Sequence, residues 1–349
     1  MNPKPRVLVA RRAPQAVLDR LAAHCDLDAV TGDVPLTPAE LRERLQGKAG
    51  AFITGTERID AALLDACPEL RVVATMSVGY NHIDVPACSA HGVLATNTPD
   101  VLTETTADLG FALLMATARR ITEAEAFLRS GQWGKWSFTA LLGADLHGST
   151  LGILGMGRIG QAIARRARGF GMRVLYHNRS RLAAEVETEV GASYVPFDDL
   201  LRSSDHLALV LPYTPASHHL IDATALAKMK PTATLVNIAR GGIVDELALA
   251  DALAHGRLAG AGLDVFEGEP TVRPELLALK NVVLTPHIGS ASLATRRAMV
   301  QLAVDNLIAA LGFGPDAGNP PSLVNADALK AAKTGGAIVG ATKTTAAKR

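Results

Sequence analysis

Short runs of aliphatic and β-branched residues alternate along this chain with segments of helical periodicity. The runs fall in two series: RVLVA, CDLDAV, AFIT, RVVATMS and VLATN, then TLGILG, RVLYH, HLALVLP, ATLVNIA, GAGLDV and NVVLTP. Alternation of this kind is typical of parallel sheets whose strands are joined by crossover helices. The sequence therefore predicts an α/β protein with two doubly wound domains.

A helical pattern separates the two series, and another follows the second. The first runs from about Val101 to Ser130 and predicts one long amphipathic helix, while LATRRAMVQLAVDNLIAALGF predicts a helix that returns to the first domain. At 349 residues, 48% of them hydrophobic, the chain is long enough for two sizeable cores. The final segment, KAAKTGGAIVGATKTTAAKR, has little to bury and predicts a disordered, solvated end, or else a segment that binds acidic partners.

Charge and cysteine content exclude several classes of protein. The 35 basic and 34 acidic residues nearly cancel, which leaves no broad basic surface for nucleic acid. Cys25, Cys67 and Cys88 lack metal-ligand spacing and suit reduced thiols. The longest apolar stretch, LGFALLMATA, is too short to span a bilayer. We therefore expect a cytoplasmic protein with no metal site and no nucleic-acid or membrane partner.

A glycine motif follows the run TLGIL and opens the helical pattern RIGQAIARRARGF. It comprises Gly155, Met156, Gly157, Arg158, Ile159 and Gly160. In this context Gly155 permits a tight turn, Gly157 lets the backbone approach a pyrophosphate, and Gly160 lets helix and strand pack closely. The motif predicts a dinucleotide site.

The strand after the motif ends without the expected acid. Such a strand usually closes with Asp or Glu, whose carboxylate binds the adenosine ribose and repels a 2′ phosphate. Here it runs into Asn178, Arg179, Ser180 and Arg181. These residues remove the repulsion and offer donors to a phosphate, which favours NADPH over NADH. The alternative is that they are solvated loop cations.

Three later strand ends carry reactive side chains. Arg240 lies in NIARGGIVDE, Asp264 and Glu269 in GLDVFEGEP, and His287 in LTPHIGSA. Open α/β sheets bind ligands at this edge, where Arg240 can clamp a carboxylate and His287 with Glu269 can form an acid/base pair. Each also has a structural alternative: a surface cation, a turn residue before proline, and a structural histidine after Pro286.

These stretches, with SVGYNHID and VLTETTADLGFALLMATARR, resemble the D-isomer-specific 2-hydroxyacid dehydrogenases, most closely glyoxylate/hydroxypyruvate and 2-ketogluconate reductases. The resemblance implies that Arg240 binds the substrate and that Glu269 holds His287, which donates a proton to the carbonyl oxygen during hydride transfer. Further cofactor contacts are expected at Thr105, Leu211, Pro212, Ile238, Ala239 and Asp264, the last of them to the nicotinamide amide. Substrate contacts are also expected at Val78 and Gly79.

The resemblance also implies an architecture and an assembly. Residues 101–289 would form a Rossmann NAD(P)-binding domain inserted in a flavodoxin-like substrate domain of residues 1–100 and 290–326, with a tail at 327–349. The family implies a homodimer, in which Trp133 or Trp136 would reach the partner's active site unless both only pack at the interface. The expected activity is NADPH-dependent reduction of glyoxylate, hydroxypyruvate or 2-ketogluconate, with NADH less preferred. The alternative is a non-catalytic NAD(P)-sensing protein that resembles corepressors.

Overall fold

The computed structural model describes residues 3–328, which divide into two compact units. The first unit contains residues 3–102 and 293–328, and the second contains residues 103–292. Most of the segment predicted as a disordered tail therefore lies outside the described residues. Of its first two positions, which are described, Ala328 is buried in the core of the first unit, at variance with that prediction.

Strands and helices alternate along the described residues. The strands are β1 Arg6–Val9, β2 Asp26–Ala29, β3 Gly50–Ile53, β4 Val72–Thr75, β5 Leu94–Thr96, β6 Thr150–Leu154, β7 Arg173–His177, β8 Ala192–Tyr194, β9 His206–Leu209, β10 Thr234–Asn237, β11 Gly260–Leu263 and β12 Val282–Leu284. The helices are α1 Gln15–Ala22, α2 Pro38–Leu45, α3 Ala61–Ala66, α4 Val85–Ala90, α5 Thr103–Ala118, α6 Ile121–Arg129, α7 Arg158–Gly169, α8 Ala184–Val190, α9 Phe197–Ser203, α10 Ala223–Leu226, α11 Glu246–Ala254, α12 Pro274–Leu277 and α13 Leu293–Ala310.

Side-chain caps fix several of the helix starts. Thr37 accepts from the N–H of Glu40, and the Glu40 carboxylate accepts from the N–H of Thr37, which forms a capping box before α2. Asp245 accepts from the N–H groups of Leu247 and Ala248 at the start of α11. Each cap satisfies backbone donors that the first turn of a helix leaves unpaired.

The first unit is a parallel sheet covered on both faces. Its strands lie in the order β2-β1-β3-β4-β5, and every pairing between them is parallel. Side chains from α1 and α13 form one core, and side chains from α2, α3 and α4 form the other. This strand order is that of flavodoxin-like folds.

The second unit is built on a larger parallel sheet in the order β12-β11-β10-β9-β6-β7-β8. Its order is that of a Rossmann fold with one further strand, and it reverses direction between β6 and β9. Helix α5 lies against β10, β11 and α7, and its Gly110 allows the close approach: a Cβ there would lie 2.8 Å from Ile238 Cδ1. The predicted α/β class, with two doubly wound sheets, is confirmed.

Three local features bear on the sequence predictions. The pattern from Val101 to Ser130 was predicted as one helix, but it is two, because Arg120 adopts a left-handed backbone with φ of 52° between α5 and α6. The short strand β8, at the edge of the second sheet, was missed. Helix α13 packs on β3, β4 and β5, as predicted.

Among residues 3–328, none of the helices combines the length and the apolar content needed to cross a bilayer.

Candidate active site and cofactor site

The predicted functional residues of the second unit gather at one edge of its sheet. Gly155 follows β6, Leu211 follows β9 after two residues, Arg240 follows β10, Asp264 follows β11 and His287 follows β12. These strands are parallel neighbours, so their carboxyl ends meet at the same edge. Ligands of open α/β sheets bind there, beside the point where the strand order reverses.

The glycine motif has the geometry that a dinucleotide requires. Gly155 has a φ of 102°, and a Cβ there would lie 2.6 Å from the N atom of Leu211. A Cβ at Gly160 would lie 2.3 Å from the carbonyl oxygen of Gly155. At Gly157, by contrast, a Cβ would meet nothing within 4 Å, and α7 begins at the next residue. The open approach to the start of a helix fits a pyrophosphate group.

The other residues of the motif differ in exposure. Met156 is buried, and its N–H donates to Asn178 Oδ1 over 2.7 Å. Arg158 is exposed and Ile159 is half-buried. Asn178 therefore ties the end of β7 to the glycine turn, a structural role that its sequence position did not reveal.

The basic loop after β7 divides into paired and unpaired residues. Arg181 donates to both carboxylate oxygens of Glu187, over 2.9 and 2.8 Å, and Tyr176 Oη donates to the same carboxylate over 2.6 Å. Arg179 and Ser180 are exposed and form neither a hydrogen bond nor an ion pair with any residue in 3–328. The sequence analysis grouped Arg181 with the phosphate donors, whereas the structure engages it with Glu187.

Glu187 has a strongly perturbed carboxyl group. Its pKa is lowered from 4.5 to about 2, first by the hydrogen bond from Arg181 and then by the one from Tyr176, against a smaller effect of burial. The pKa of Tyr176 is raised to about 12 by burial and by its bond to Glu187. The hydrogen bonds of Glu187 to Tyr176 and Arg181 therefore attach the loop after β7 to helix α8.

His287 and Glu269, which the sequence predicted as an acid/base pair, are hydrogen-bonded to each other. His287 Nδ1 lies 2.7 Å from Glu269 Oε2, and Glu269 Oε1 accepts from the N–H of Phe266 over 2.9 Å. Burial raises the pKa of Glu269, but the hydrogen bonds from His287 and Phe266 outweigh it and leave the pKa below its usual value. An ionised carboxylate only accepts, so Nδ1 carries a hydrogen and the opposite ring nitrogen, Nε2, faces away from Glu269.

Asp264 holds the turn that carries His287. Its Oδ1 accepts from Thr285 Oγ1 and from the N–H of Ile288 over 2.7 and 2.8 Å, and its Oδ2 accepts from the N–H of Gly289 over 2.8 Å. The backbone of His287 is left-handed, with a φ of 51°, which is uncommon outside glycine. Burial raises the pKa of Asp264 against the effect of these bonds. Its predicted contact with the nicotinamide amide stays a prediction.

Arg240 is held close to the turn that carries Glu269. Its Nη1 donates to the carbonyl oxygen of Ala239 over 2.6 Å. Burial lowers the pKa of Arg240, and the nearby charge of Glu269 opposes that shift. A Cβ at the next residue, Gly241, would lie 1.9 Å from the carbonyl carbon of Phe266, so the two backbones touch. A cation with a planar donor fork at this position can bind a carboxylate.

Asn237 and Glu246 are buried polar residues that support the backbone around Arg240 and Glu267, and sequence analysis did not identify them. Asn237 Nδ2 donates to the carbonyl oxygen of Arg240 over 2.9 Å, and its Oδ1 accepts from the N–H of Ala239 over 3.0 Å. Glu246 Oε1 accepts from the N–H of Glu267 over 2.6 Å. Asn237 is the last residue of the buried strand TLVN. A polar residue in a buried strand needs hydrogen-bond partners, and this is the sequence signal that could have identified Asn237.

The remaining predicted residues of the second unit lie on several elements. Ile238 and Ala239 are buried after β10, Leu211 is half-buried and Pro212 exposed after β9, and Thr105 is half-buried in α5. Their contacts with a cofactor stay predictions.

Val78 and Gly79 belong to the first unit, in the loop after β4. The carbonyl oxygen of Val78 accepts from Asn97 Nδ2 over 2.9 Å, and that of Gly79 accepts from Ser77 Oγ over 2.7 Å. Both residues are half-buried. Their predicted contact with substrate stays a prediction.

Trp133 and Trp136 lie in the segment between α6 and β6. Their exposed fractions are 60% and 77%, which is unusual for so large an apolar side chain. The described residues therefore leave both rings uncovered.

Comparison with known proteins agrees with this geometry. Residues 111–289 match the family model of the D-isomer specific 2-hydroxyacid dehydrogenase NAD binding domain. The glyoxylate reductase of Thermococcus onnurineus is 48% identical over 336 residues, which cover 95% of this chain and 99% of that protein. The glyoxylate reductase of Pyrococcus horikoshii is 47% identical over 337 residues, with the same coverage of both chains.

A solved structure is also similar over nearly the whole chain. It is an NADPH-dependent glyoxylate/hydroxypyruvate reductase from Sinorhizobium meliloti in complex with NADP and malonate, 37% identical with a TM-score of 0.81. The match covers 93% of this chain and 98% of that one. The chain therefore belongs to the D-isomer-specific 2-hydroxyacid dehydrogenase family. It is an NAD(P)-dependent enzyme of that family, and the alternative of a non-catalytic sensor is not favoured.

The pairing of Glu187 predicts a pH-dependent stability. Because its pKa falls from 4.5 to about 2 on folding, its contribution is fully present above pH 4.5 and is lost as the pH falls towards 2. Glu187→Gln should therefore lower the melting temperature at neutral pH, and the difference from the parent should shrink in acid. Melting curves at pH 7 and at about pH 3 measure this, with the exposed Glu189→Gln on the same helix as control. A difference that stays constant with pH would contradict the assignment.

Proposed function

We propose that this enzyme reduces a small 2-keto acid to the D-2-hydroxy acid with NADPH, glyoxylate, hydroxypyruvate and 2-ketogluconate being the candidate substrates. The observation that carries the proposal is the 2.7 Å hydrogen bond between His287 and Glu269, in the same site as the half-buried cation of Arg240. Relatives named glyoxylate reductase support this substrate class. A panel of 2-keto acids, followed by NADPH absorbance, ranks the candidates.

The side chains would divide the work as follows. The guanidinium of Arg240 binds the carboxylate of the keto acid and orients its carbonyl group. A bound nicotinamide supplies the hydride. His287 donates a proton from Nε2 to the carbonyl oxygen, and the hydrogen bond from Nδ1 to Glu269 orients the ring for that transfer. Asp264 keeps the His287 turn in place while the proton leaves.

We also propose that the loop after β7 receives the 2′ phosphate of NADPH. Arg179 and Ser180 are exposed and unpaired among residues 3–328, so their donors are available to an anion. Asn178 adds no negative charge at the position where a carboxylate would repel the phosphate. The similar Sinorhizobium meliloti enzyme, which was solved with NADP, supports this preference.

A homodimer would cover an apolar surface of the second unit. Helix α6 has no buried residue, and its exposed apolar side chains continue into the following segment: Ile121, Leu128, Trp133, Trp136, Phe138 and Leu142. Exposed large apolar side chains that are concentrated in one segment are typical of an interaction site. We propose that this α6 surface packs against a second copy of the chain, where Trp133 or Trp136 could approach the partner's active site.

We propose a cytoplasmic location because the cysteines of this chain are unpaired thiols. Cys25, Cys67 and Cys88 are all free and buried. Burial raises the pKa of Cys25 to about 11 and that of Cys88 to about 12, which keeps both thiols protonated and unreactive. Free cysteines of this kind suit a reducing compartment.

The role of His287 predicts a loss of turnover on substitution. His287→Ala should lower kcat by about 10²- to 10⁴-fold, because a general acid contributes that much, and should leave the Kd for NADPH nearly unchanged. Steady-state kinetics and cofactor titration measure the two effects. His255→Ala removes an exposed histidine that pairs with Asp251 on α11 and serves as the matched control. Near-normal turnover of His287→Ala would exclude this residue as the proton donor.

The cofactor preference predicts a second result. Asn178→Asp combined with Arg179→Ala removes a charge-assisted contact worth about 1.5–3 kcal/mol, so the ratio of kcat/KM for NADPH to that for NADH should fall by roughly ten- to a hundredfold. Aspartate keeps an acceptor for the N–H of Met156, so the glycine turn should be preserved. Arg173→Gln is the control, since Arg173 is an exposed arginine at the opposite end of β7. A parent enzyme that already prefers NADH would refute the phosphate site but not the reductase activity.

The proposed interface predicts a change of mass. The parent should have a molar mass twice the 36.5 kDa of the chain, and Trp136→Asp with Phe138→Asp should yield a monomer, because buried carboxylates oppose an apolar interface. Light scattering after size exclusion measures this. Leu277→Asp changes an exposed leucine, 60% accessible, elsewhere in the same unit and should stay dimeric. An unchanged mass of the double variant would show that the α6 surface is not the interface.

A further inference from the structure

We propose that His218, His219 and Glu267 form a binding site for a divalent transition-metal ion such as Zn²⁺. The three side chains each offer one ligand atom, and these atoms all lie within 4.8 Å of one another. The site lies in the second unit and is separate from the His287–Glu269 pair. Sequence analysis predicted no metal site on the spacing of the cysteines, and His219 and Glu267 lie 48 positions apart in the sequence.

The backbone brings the two histidines to the same side of the chain. In an extended segment the side chains of neighbouring residues point in opposite directions. His219 instead has a left-handed backbone with a φ of 48°, and the two imidazole rings stack with their centroids 3.9 Å apart. A left-handed conformation is uncommon for a residue other than glycine and often marks a functional position. The turn thus places the imidazoles of His218 and His219 side by side, near the carboxylate of Glu267.

The surrounding contacts hold this turn in place. The N–H of His219 donates to the carbonyl oxygen of Gly242 over 2.8 Å, and the N–H of Ile221 donates to that of Ile243 over 3.0 Å. His218 Nδ1 lies 3.1 Å from Tyr213 Oη. That contact leaves Nε2 of His218 for an ion, and such an outer partner is what metal-ligating histidines usually have.

Glu267 supplies the third ligand and much of the charge. Both of its carboxylate oxygens lie 3.2 Å from His219 Nε2, and its N–H is held by Glu246. The charged groups around the site are the carboxylates of Glu267 and Glu246 and the guanidinium of Arg273, whose Nη2 lies 3.7 Å from Glu267 Oε2. Burial raises the pKa of Glu246, so the carboxylate of Glu267 is the group that offers negative charge to a divalent cation.

The ligand chemistry selects the kind of ion. Two imidazoles with one carboxylate suit Zn²⁺, Ni²⁺ or Cu²⁺, whereas Mg²⁺ and Ca²⁺ prefer oxygen ligands. Zn²⁺ takes nitrogen and oxygen ligands at about 2.0–2.2 Å and is usually tetrahedral, so three protein ligands leave one position for water. The stacked rings must tilt apart on binding, because each nitrogen lone pair lies in its ring plane. His218 is exposed and can make that adjustment.

Binding would join two loops of the second unit. His218 and His219 follow β9 in sequence, while Glu267 lies two residues before Glu269, in the turn after β11. An ion that holds both loops should stabilise the folded state by mass action, since it binds only when the ligands are brought together. The expected signature is a rise in melting temperature with Zn²⁺ that a chelator reverses.

The test is a Zn²⁺ titration of the full, untagged chain after removal of metal with EDTA. Calorimetry should give one ion per chain, and Co²⁺ in place of Zn²⁺ should give the visible absorption of a site with few ligands. His218→Ala and Glu267→Gln should each weaken binding by more than about tenfold. His91→Ala, which removes a histidine paired with Asp65 in the first unit, should bind as the parent does.

Two results would overturn the proposal. One is the absence of binding in the parent with Zn²⁺ in excess, and the other is unchanged binding in both His218→Ala and Glu267→Gln. Circular dichroism of each variant checks that it is folded. NADPH titrations of the same variants report the cofactor site independently, so failure here leaves the proposed reductase activity untouched.

Discussion

The active site depends on one buried carboxylate that joins two neighbouring strands. Asp264 follows β11, is only 1% exposed, and accepts three hydrogen bonds from the turn after β12. Those bonds offset part of the cost of burying its charge, although burial still raises the pKa of Asp264. They also hold His287 in a left-handed conformation that its own side chain disfavours. The orientation of the proposed proton donor is therefore set by a residue that need not touch substrate.

A second set of contacts fixes Arg240 and Glu269 relative to each other. Asn237 closes the backbone turn before Arg240, and the absence of a side chain at Gly241 lets that turn lie against Phe266. Glu246 holds the N–H of Glu267 from the other side. Strands of a parallel sheet bring loops to one edge, but they do not align the loops, so these short polar and steric contacts supply the remaining precision.

The sequence predicted the parts of this structure that depend on local pattern. Apolar runs predicted eleven of the strands. The spacing of Gly155, Gly157 and Gly160 predicted the glycine turn, because Gly155 and Gly160 each answer a local steric demand and Gly157 leaves the approach to the helix open. Strand β8 was missed because its sequence, ASY, contains no apolar run, and only Ala192 of its three residues is buried. The break at Arg120 was missed because the helical pattern continues across it.

Local sequence patterns could not predict the hydrogen bonds and ion pairs between residues that are far apart in the sequence. Nothing in the sequence of the β7 loop distinguishes Arg179 from Arg181, and only the folded helix α8 brings Glu187 to one of them. The same holds for His219 and Glu267, whose contact requires the loops after β9 and β11 to meet. Local periodicity reports burial, whereas the partner of a charged side chain depends on tertiary structure.

Position 178 shows how recognition and structure can be combined in one residue. Asn178 Oδ1 accepts from the N–H of Met156, so the residue that lacks a negative charge at the proposed cofactor site also anchors the glycine turn. Aspartate has the same acceptor in the same place, while alanine would leave that backbone donor unpaired. The structural demand at this position is therefore for a short side chain with an acceptor oxygen. Charge is the one property that remains free to vary, and it is the property that distinguishes a ribose hydroxyl from a phosphate.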